Sequence, residues 1–153
     1  MARLTGAGGL FPGALVAVFG AENEHAAAAP VLDSVPQERR LDLMGRVDLP
    51  TAYACLERCD FYIGNDSGLM HIAAASGIPT LGLFGPSREE LYGPCGNLTA
   101  LVRTPENFSN IHPDNFNHKA TDSLMDSLSV DQVLEALSAL IAKARGTQFE
   151  PVR

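Results

Sequence analysis

Two apolar runs of strand length, residues 14–19 (ALVAVF) and residues 80–84 (TLGLF), constrain the fold more than any other feature of this sequence. They are continuous rather than alternating, so both faces of each strand must be buried. Shorter strand-like runs occupy residues 41–44, 61–64 and 100–103. Helical patterns separate the runs, at residues 22–35, 50–58, 67–76 and 130–144. This alternation predicts an α/β fold, a parallel sheet with helices on both faces.

The length and composition predict one folded domain. The chain has 153 residues, of which 46% are hydrophobic and 19% charged, which excludes a disordered polar chain. We expect a single domain over residues 1–153, with a ragged start at 1–13 and a tail at 146–153. No apolar run approaches the roughly 20 residues that span a bilayer. We therefore expect a cytoplasmic protein, with peripheral attachment to the inner membrane left open.

The net charge is −7, which argues against a nucleic-acid partner because such proteins normally present a basic face. The same balance gives no support to a polybasic membrane patch. Three cysteines, Cys55, Cys59 and Cys95, are an odd and widely spaced set, which does not predict a disulfide framework. We interpret them as small packed residues, and we expect no metal site.

The last predicted helix is the best defined. Ser129 and Gln132 form a capping box before it, and Gly146 is expected to stop it. One apolar stripe follows the helical period: Val130, Val133, Leu134, Leu137, Leu140 and Ile141. Gly77 is expected to cap the helix at 67–76. Residues 104–122 have no clear period, and a loop of that length is often functional.

Residues 64–71 (GNDSGLMH) carry the chemistry. The segment is a strand-to-helix turn, and ligands of parallel sheets bind beyond the carboxyl ends of the strands. Glycines let a ligand approach the backbone, Asp66 or Ser67 can cap the helix, and the free N–H groups of its first turn suit a diphosphate. His71 projects from that same turn. On spacing alone, an ordinary capped helix with a satisfied histidine is nearly as good an interpretation.

The longer stretch 59–87 (CDFYIGNDSGLMHIAAASGIPTLGLFGPS) resembles the signature of glycosyltransferase family 9, which includes the heptosyltransferases of lipopolysaccharide core synthesis. The shared features are the Asp-Ser-Gly turn, the histidine three residues on, the small-residue helix and the closing Phe-Gly-Pro-Ser. The resemblance implies the C-terminal, Rossmann-like domain of a GT-B enzyme. Such an enzyme transfers a sugar from a nucleotide sugar, ADP-heptose or similar, to lipopolysaccharide or another glycan acceptor. The implied reaction inverts the anomeric centre without metal or cofactor.

The resemblance assigns six residues to the nucleotide-sugar site: Asp66, Ser67, Gly68, His71, Glu24 and Val47. The first three would line the diphosphate and sugar pocket, and His71 would contact phosphate or sugar. Glu24 would bind a ribose hydroxyl, with Glu22 as a close competitor. Val47 would pack near the base.

The family's domain normally opens with an earlier strand and a phosphate-holding loop, for which these residues show no counterpart. We therefore expect a domain truncated at its N-terminus and inactive alone, with the catalytic base in a separate acceptor domain. We therefore assign no catalytic residue within this chain. Glu89, Glu90 and Asp114 are expected to be solvated. An unpaired sheet edge would favour self-association.

Three competing interpretations stay open at this point. The first is a non-catalytic nucleotide-binding or interaction domain derived from a GT-B enzyme. The second is a different GT-B enzyme, such as a UDP-sugar transferase or an epimerase. The third is a metal-binding module built on His112, His118 and the cysteines.

Overall fold

The computed structural model describes residues 1–106 and 124–147, and the chain divides into two compact units, residues 1–54 and residues 55–153. Most of the unpatterned segment at 104–122 lies outside the described residues, as do His112, Asp114 and His118 within it. The same holds for the tail from residue 148 onward.

The first unit contains a two-stranded parallel sheet. Strand β1 (Val16–Val18) pairs with β2 (Arg40–Asp42), and Val16 lies opposite Arg40. A 3₁₀ turn (Glu22–Glu24), helix α2 (His25–Asp33) and a second 3₁₀ turn (Gln37–Arg39) connect the two strands. The largely buried side chains of this unit include Leu32, Val35 and Met44.

Two details of this unit differ from a simple sequence interpretation. The Gly-rich start contains a one-turn helix, α1 (Ala2–Thr5), in which Leu4 is buried. Pro30 lies inside α2 without ending it, although a proline at that position removes one intrahelical hydrogen bond. Helix α3 (Leu49–Leu56) follows Asp48 directly, and the Asp48 carboxylate accepts the Thr51 N–H at 2.9 Å.

The second unit contains a three-stranded parallel sheet in the order β3-β4-β5. Its strands are β3 (Tyr62–Asn65), β4 (Thr80–Phe84) and β5 (Thr99–Arg103). Helix α4 (Gly68–Ala75) packs on β3 and β4, and the long C-terminal helix packs on β4 and β5. The connection from β4 to β5 holds only the single-turn helix α5 (Glu89–Tyr92).

The predicted α/β class is confirmed, because every strand pair is parallel and helices connect the strands. The described strands form two sheets rather than one, since β1 pairs only with β2 and β3 only with β4. Gly77 has a positive φ of 82° and donates its N–H to Ala74 O at 3.2 Å. It therefore closes α4 as predicted.

The C-terminal helix α6 (Val130–Thr147) begins at the predicted capping box. The Gln132 N–H donates to Ser129 Oγ at 3.2 Å, and the Ser129 N–H donates to Gln132 Oε1 at 3.0 Å. Leu137, Leu140 and Ala144 are its buried residues. The predicted stop at Gly146 is wrong, because one glycine near a helix end costs only about 1 kcal/mol relative to alanine.

The packing of α6 on the sheet gives a first prediction. Leu137 is completely buried, so Leu137→Ala is expected to lower the free energy of unfolding by about 2–5 kcal/mol. Val130, 54% exposed on the same helix, provides the matched control, and Val130→Ala should change stability by less than about 0.5 kcal/mol. Urea denaturation followed by circular dichroism measures both. Equal midpoints for the two variants would contradict this packing.

Candidate functional site

The segment at 64–71 forms the predicted strand-to-helix turn at the carboxyl edge of the second sheet. Strand β3 ends at Asn65, which lies opposite Leu83 near the end of β4, and α4 begins at Gly68. The turn therefore lies at the edge where parallel sheets bind ligands. Asp66 is half-buried, whereas Ser67, Gly68 and His71 are exposed.

Ser67 occupies the N-cap position of α4 in an extended conformation, with φ −159° and ψ 166°. The position agrees with the sequence prediction, but the Ser67 side chain makes no capping hydrogen bond. The backbone N–H groups of Gly68 and Leu69 also form no hydrogen bond with the described residues. The first turn of α4 thus offers free donors and the positive end of the helix dipole to an anion.

Gly68 stands at this turn without an internal reason to be glycine. Its φ is not positive, and a β-carbon added there would meet no atom within 4 Å among the described residues. Neither backbone conformation nor packing against its own unit therefore requires glycine. The space above its α-carbon is open to a molecule that approaches from outside.

Tyr62 is a site neighbour that sequence reasoning missed. It shares a face of β3 with Gly64, where an added β-carbon would lie 2.6 Å from Tyr62 Cζ and closer still to the hydroxyl. Glycine at 64 thus leaves room for the ring to run along the strand toward the turn. Burial raises the pKa of Tyr62. The sequence signal that could have identified Tyr62 is its two-residue spacing from Gly64, the first residue of the 64–71 segment.

A second missed residue, Arg103, ends β5 at the same edge of the sheet. Its guanidinium pairs with the Glu89 carboxylate and donates to Glu106 O at 2.8 Å and to Gly85 O at 3.4 Å. These bonds tie the loop after β4, helix α5 and the segment after β5 to one half-buried side chain. A sequence signal existed, since an arginine that ends an apolar strand needs acceptors at that strand end.

The other two predicted site residues lie in the first unit. The Glu24 carboxylate accepts the Ala21 N–H at 2.8 Å and is otherwise exposed. Its competitor Glu22 lies next to Gly45, which has a positive φ of 64°. The Gly45 N–H donates to Gly20 O at 2.9 Å, and this bond joins the loops after β1 and β2. Val47 is half-buried two residues beyond Gly45. Both predicted residues thus follow the carboxyl ends of strands.

The first unit also contains a charged cluster that the sequence did not reveal. His25 Nε2 lies 2.9 Å from Asp42 Oδ2, and Arg46 lies 3.8 Å from the same oxygen. The hydrogen bond with His25, followed by the one from the Met44 N–H, holds the pKa of Asp42 below its usual value. These side chains line a surface cavity of about 450 Å³. Since Asp42 already has both partners, the cluster is a structural link between α2 and β2.

Metal-site geometry is not found in residues 1–106 and 124–147, where no three His, Cys, Asp or Glu side chains converge. Every helix in these two ranges is too short or too polar to cross a bilayer. Cys55 and Cys59 are half-buried free thiols, and burial raises the pKa of Cys59.

Comparison with known proteins places this arrangement in a family. Residues 12–119 match the family model described as glycosyltransferase family 9 (heptosyltransferase), and the chain belongs to that family. It is 30% identical over 129 residues to lipopolysaccharide heptosyltransferase 2 of Escherichia coli K12, covering 82% of this chain and 37% of that protein. It is 30% identical over 135 residues to lipooligosaccharide heptosyltransferase 2 of Haemophilus influenzae, covering 86% and 39%. The chain thus spans less than two-fifths of the length of these relatives.

Solved structures give the same fold. A family 9 glycosyl transferase from Veillonella parvula superposes with a TM-score of 0.69 at 24% identity, over 84% of this chain and 37% of that one. The E. coli ADP-heptose lps heptosyltransferase II superposes with a TM-score of 0.66 at 26% identity, over 86% and 37%. The expected family and the expected fold class, the α/β architecture of a GT-B domain, are therefore confirmed.

The Arg103–Glu89 pair gives a pH-dependent prediction. Hydrogen bonding with Arg103 lowers the pKa of Glu89 below its ordinary 4.5. The pair therefore stabilises the fold fully above pH 4.5, and this stabilisation is lost as the pH falls through the lower, folded-state pKa. Glu89→Gln should lower the free energy of unfolding by about 1 kcal/mol at pH 7. The difference from the unmodified chain should shrink below pH 4.5.

Urea denaturation at pH 7 and at pH 3.5 measures this effect. Glu90→Gln removes the neighbouring carboxylate, which is exposed, and serves as the control. A Glu89→Gln penalty that is the same at both pH values would show that the pair contributes nothing through its charge.

Proposed function

We propose that this chain is the donor-binding domain of a family 9 glycosyltransferase. It would hold a nucleotide sugar, ADP-heptose or similar, for transfer to lipopolysaccharide or another glycan acceptor. Family membership supports the class of reaction. The observation that carries the proposal is the turn at 65–68. No side chain caps the first N–H groups of α4 there, and nothing in the fold requires Gly68 to be glycine. Both features are open to solvent.

The chemistry of that turn suits a diphosphate leaving group. As the bond between sugar and diphosphate breaks, negative charge grows on the phosphate oxygens. Free N–H groups and the positive end of α4 stabilise that charge before any side chain contributes. His71, on the first turn of α4, would donate a further hydrogen bond. A metal ion is then unnecessary, in keeping with the inverting, metal-independent reaction that we propose for the enzyme to which this domain would belong.

Each of the other predicted residues is assigned to one part of the nucleotide sugar. Asp66 and Ser67 would line the diphosphate and sugar pocket, Glu24 would accept a hydrogen bond from a ribose hydroxyl, and Val47 would pack near the base. The relatives extend well beyond the part that this chain matches. We place the catalytic base and the acceptor site in that additional part, so that this chain alone binds donor without transferring sugar.

Calorimetric titration with ADP and with UDP tests donor binding. We expect ADP to bind with a millimolar or lower dissociation constant and UDP to bind more weakly. His71→Ala should weaken ADP binding about tenfold or more, as the loss of one hydrogen bond to a charged group implies. Asn97→Ala, an exposed change just before the amino end of β5, should leave it unchanged. If neither nucleotide binds at millimolar concentration, the proposed function is wrong.

Gly68→Ala separates ligand contact from stability. Alanine is the better helix former by about 1 kcal/mol in a helix interior, and nothing within the described residues obstructs its methyl group. The variant should therefore be at least as stable as the unmodified chain. Its added methyl group should nevertheless obstruct a bound diphosphate and weaken ADP binding more than tenfold. Thermal unfolding and calorimetry on the same sample would show the two effects, and unchanged affinity would place the diphosphate elsewhere.

A further inference from the structure

The loop that follows β4 begins beside the turn at the start of α4. The strands of the second sheet end in register, since Asn65 of β3 lies opposite Leu83 and Arg103 of β5 lies opposite Phe84. Neighbouring strands of a sheet are about 5 Å apart. Gly85, the first residue after β4, is therefore only about one strand spacing from a ligand bound at that turn.

Arg103 holds this loop by charge and by hydrogen bonds. Its guanidinium pairs with the Glu89 carboxylate, at the start of α5, and its Nη2 donates to Gly85 O at 3.4 Å. Two further bonds keep the guanidinium at the end of β5: Nη2 donates to Glu106 O at 2.8 Å, and Nε donates to Thr104 O at 3.3 Å. The side chains of the ion pair are only 22% and 19% exposed, so solvent screens this pair less than it screens a surface pair.

Gly85 has little room to move away from this position. It is buried, and a β-carbon added to it would lie 2.8 Å from Leu124 O and 2.6 Å from Met125 Sδ. The chain that leads into α6 thus packs against Gly85, while Arg103 bonds to its carbonyl oxygen. The loop is therefore held by packing at its first residue and by charge at Glu89.

We propose that Arg103 is a positioning residue of the donor site: it holds residues 85–89 beside the turn at the start of α4, where they form the wall next to the second phosphate of a bound nucleoside diphosphate. This inference rests on the proposed donor-binding function. Arg103 acts through the loop, because its guanidinium is already bonded to the loop and to the end of β5. The residues assigned to the nucleoside, Glu24 and Val47, lie in the other unit. The effect of Arg103 is therefore confined to the diphosphate.

Arginine suits this position better than lysine does. Its planar guanidinium presents five N–H donors in a fixed fork, and it bonds to the Glu89 carboxylate and to two carbonyl oxygens of other segments at once. A lysine at position 103 would keep the ion pair with Glu89 but would have one nitrogen in place of three. The charge of Arg103 and its geometry can thus be removed separately.

Calorimetric titration with ADP and with AMP tests the proposal. ADP carries the second phosphate and AMP does not, so the ratio of their dissociation constants isolates the contribution of that phosphate. Arg103→Met should weaken ADP binding about threefold to tenfold, the loss expected when one hydrogen bond is misplaced, and should leave AMP binding unchanged. Arg103→Lys should keep part of the preference for ADP. A merely structural role would change both affinities alike or neither, provided that every variant is folded at the temperature of titration.

Glu89→Gln keeps the proposal testable if Arg103→Met does not fold. It should also narrow the preference for ADP over AMP, because it removes the ion pair and leaves the arginine in place. The double variant should lose less preference than the product of the two single losses, since both changes act on the same contact. Arg58→Met, at an exposed arginine of the same unit, is the matched control and should keep the full preference.

The outcomes separate the role of Arg103 from the donor site itself. If the unmodified chain prefers ADP to AMP and the folded variants at 103 and 89 keep that preference, or weaken both ligands equally, the positioning role is overturned while the donor site stands. The role is also overturned if the unmodified chain binds ADP no more tightly than AMP. If that chain binds no ADP at millimolar concentration, the donor site fails, and the role of Arg103 fails with it.

Discussion

Burial of β4, at every residue but Leu83, is the constraint on which the second unit depends. Leu81 and Phe84 have no exposed surface, and helices α4 and α6 both pack against this strand. The fit is close: a β-carbon at Gly82 would lie 2.7 Å from Met70 Sδ and 2.8 Å from Phe84 Cε2. Because the buried Met70 of α4 packs against β4 at Gly82, the packing of β4 determines the position of the first turn of α4. Apolar contacts of α4 with the sheet thus position the turn at 65–68.

The polar groups at that edge have a different task. The first turn of α4 leaves its N–H groups free, which costs some helix stability that a side-chain cap would restore. Nearby, Arg103 is satisfied by Glu89 and by the carbonyl oxygens of Gly85 and Glu106. This edge of the sheet therefore has free N–H groups at the start of α4, after β3, and a fully paired arginine at the end of β5. Free N–H groups at the start of a helix are typical of a surface that binds an anionic ligand.

Most of the framework could be predicted because it follows from local rules. Apolar runs gave the strands to within about two residues, and capping signals placed the start of α6 and the end of α4. The pairing of strands into two sheets could not be predicted, since hydrogen-bond partners depend on contacts that no short pattern encodes. In the site, the turn at 65–68 was predicted from its glycines and its family signature. Tyr62 was missed because its position depends on the direction of a ring over Gly64. Arg103 was missed because two of its partners, Glu89 and Gly85, lie 14 and 18 residues away in sequence.

The connection between β4 and β5 has a consequence for sequence change. Over residues 85–98 it contains one helical turn and otherwise irregular backbone, so few hydrogen bonds of its own define its path. Arg103, at the end of β5, holds this loop through its hydrogen bond to Gly85 O and its ion pair with Glu89. Thr99 anchors the far end of the loop, since its hydroxyl lies 3.1 Å from Pro94 O and 2.9 Å from Gly96 O. A loop that two strand residues hold by side-chain bonds tolerates exchange of its other residues, provided that Gly85, Glu89, Thr99 and Arg103 are kept.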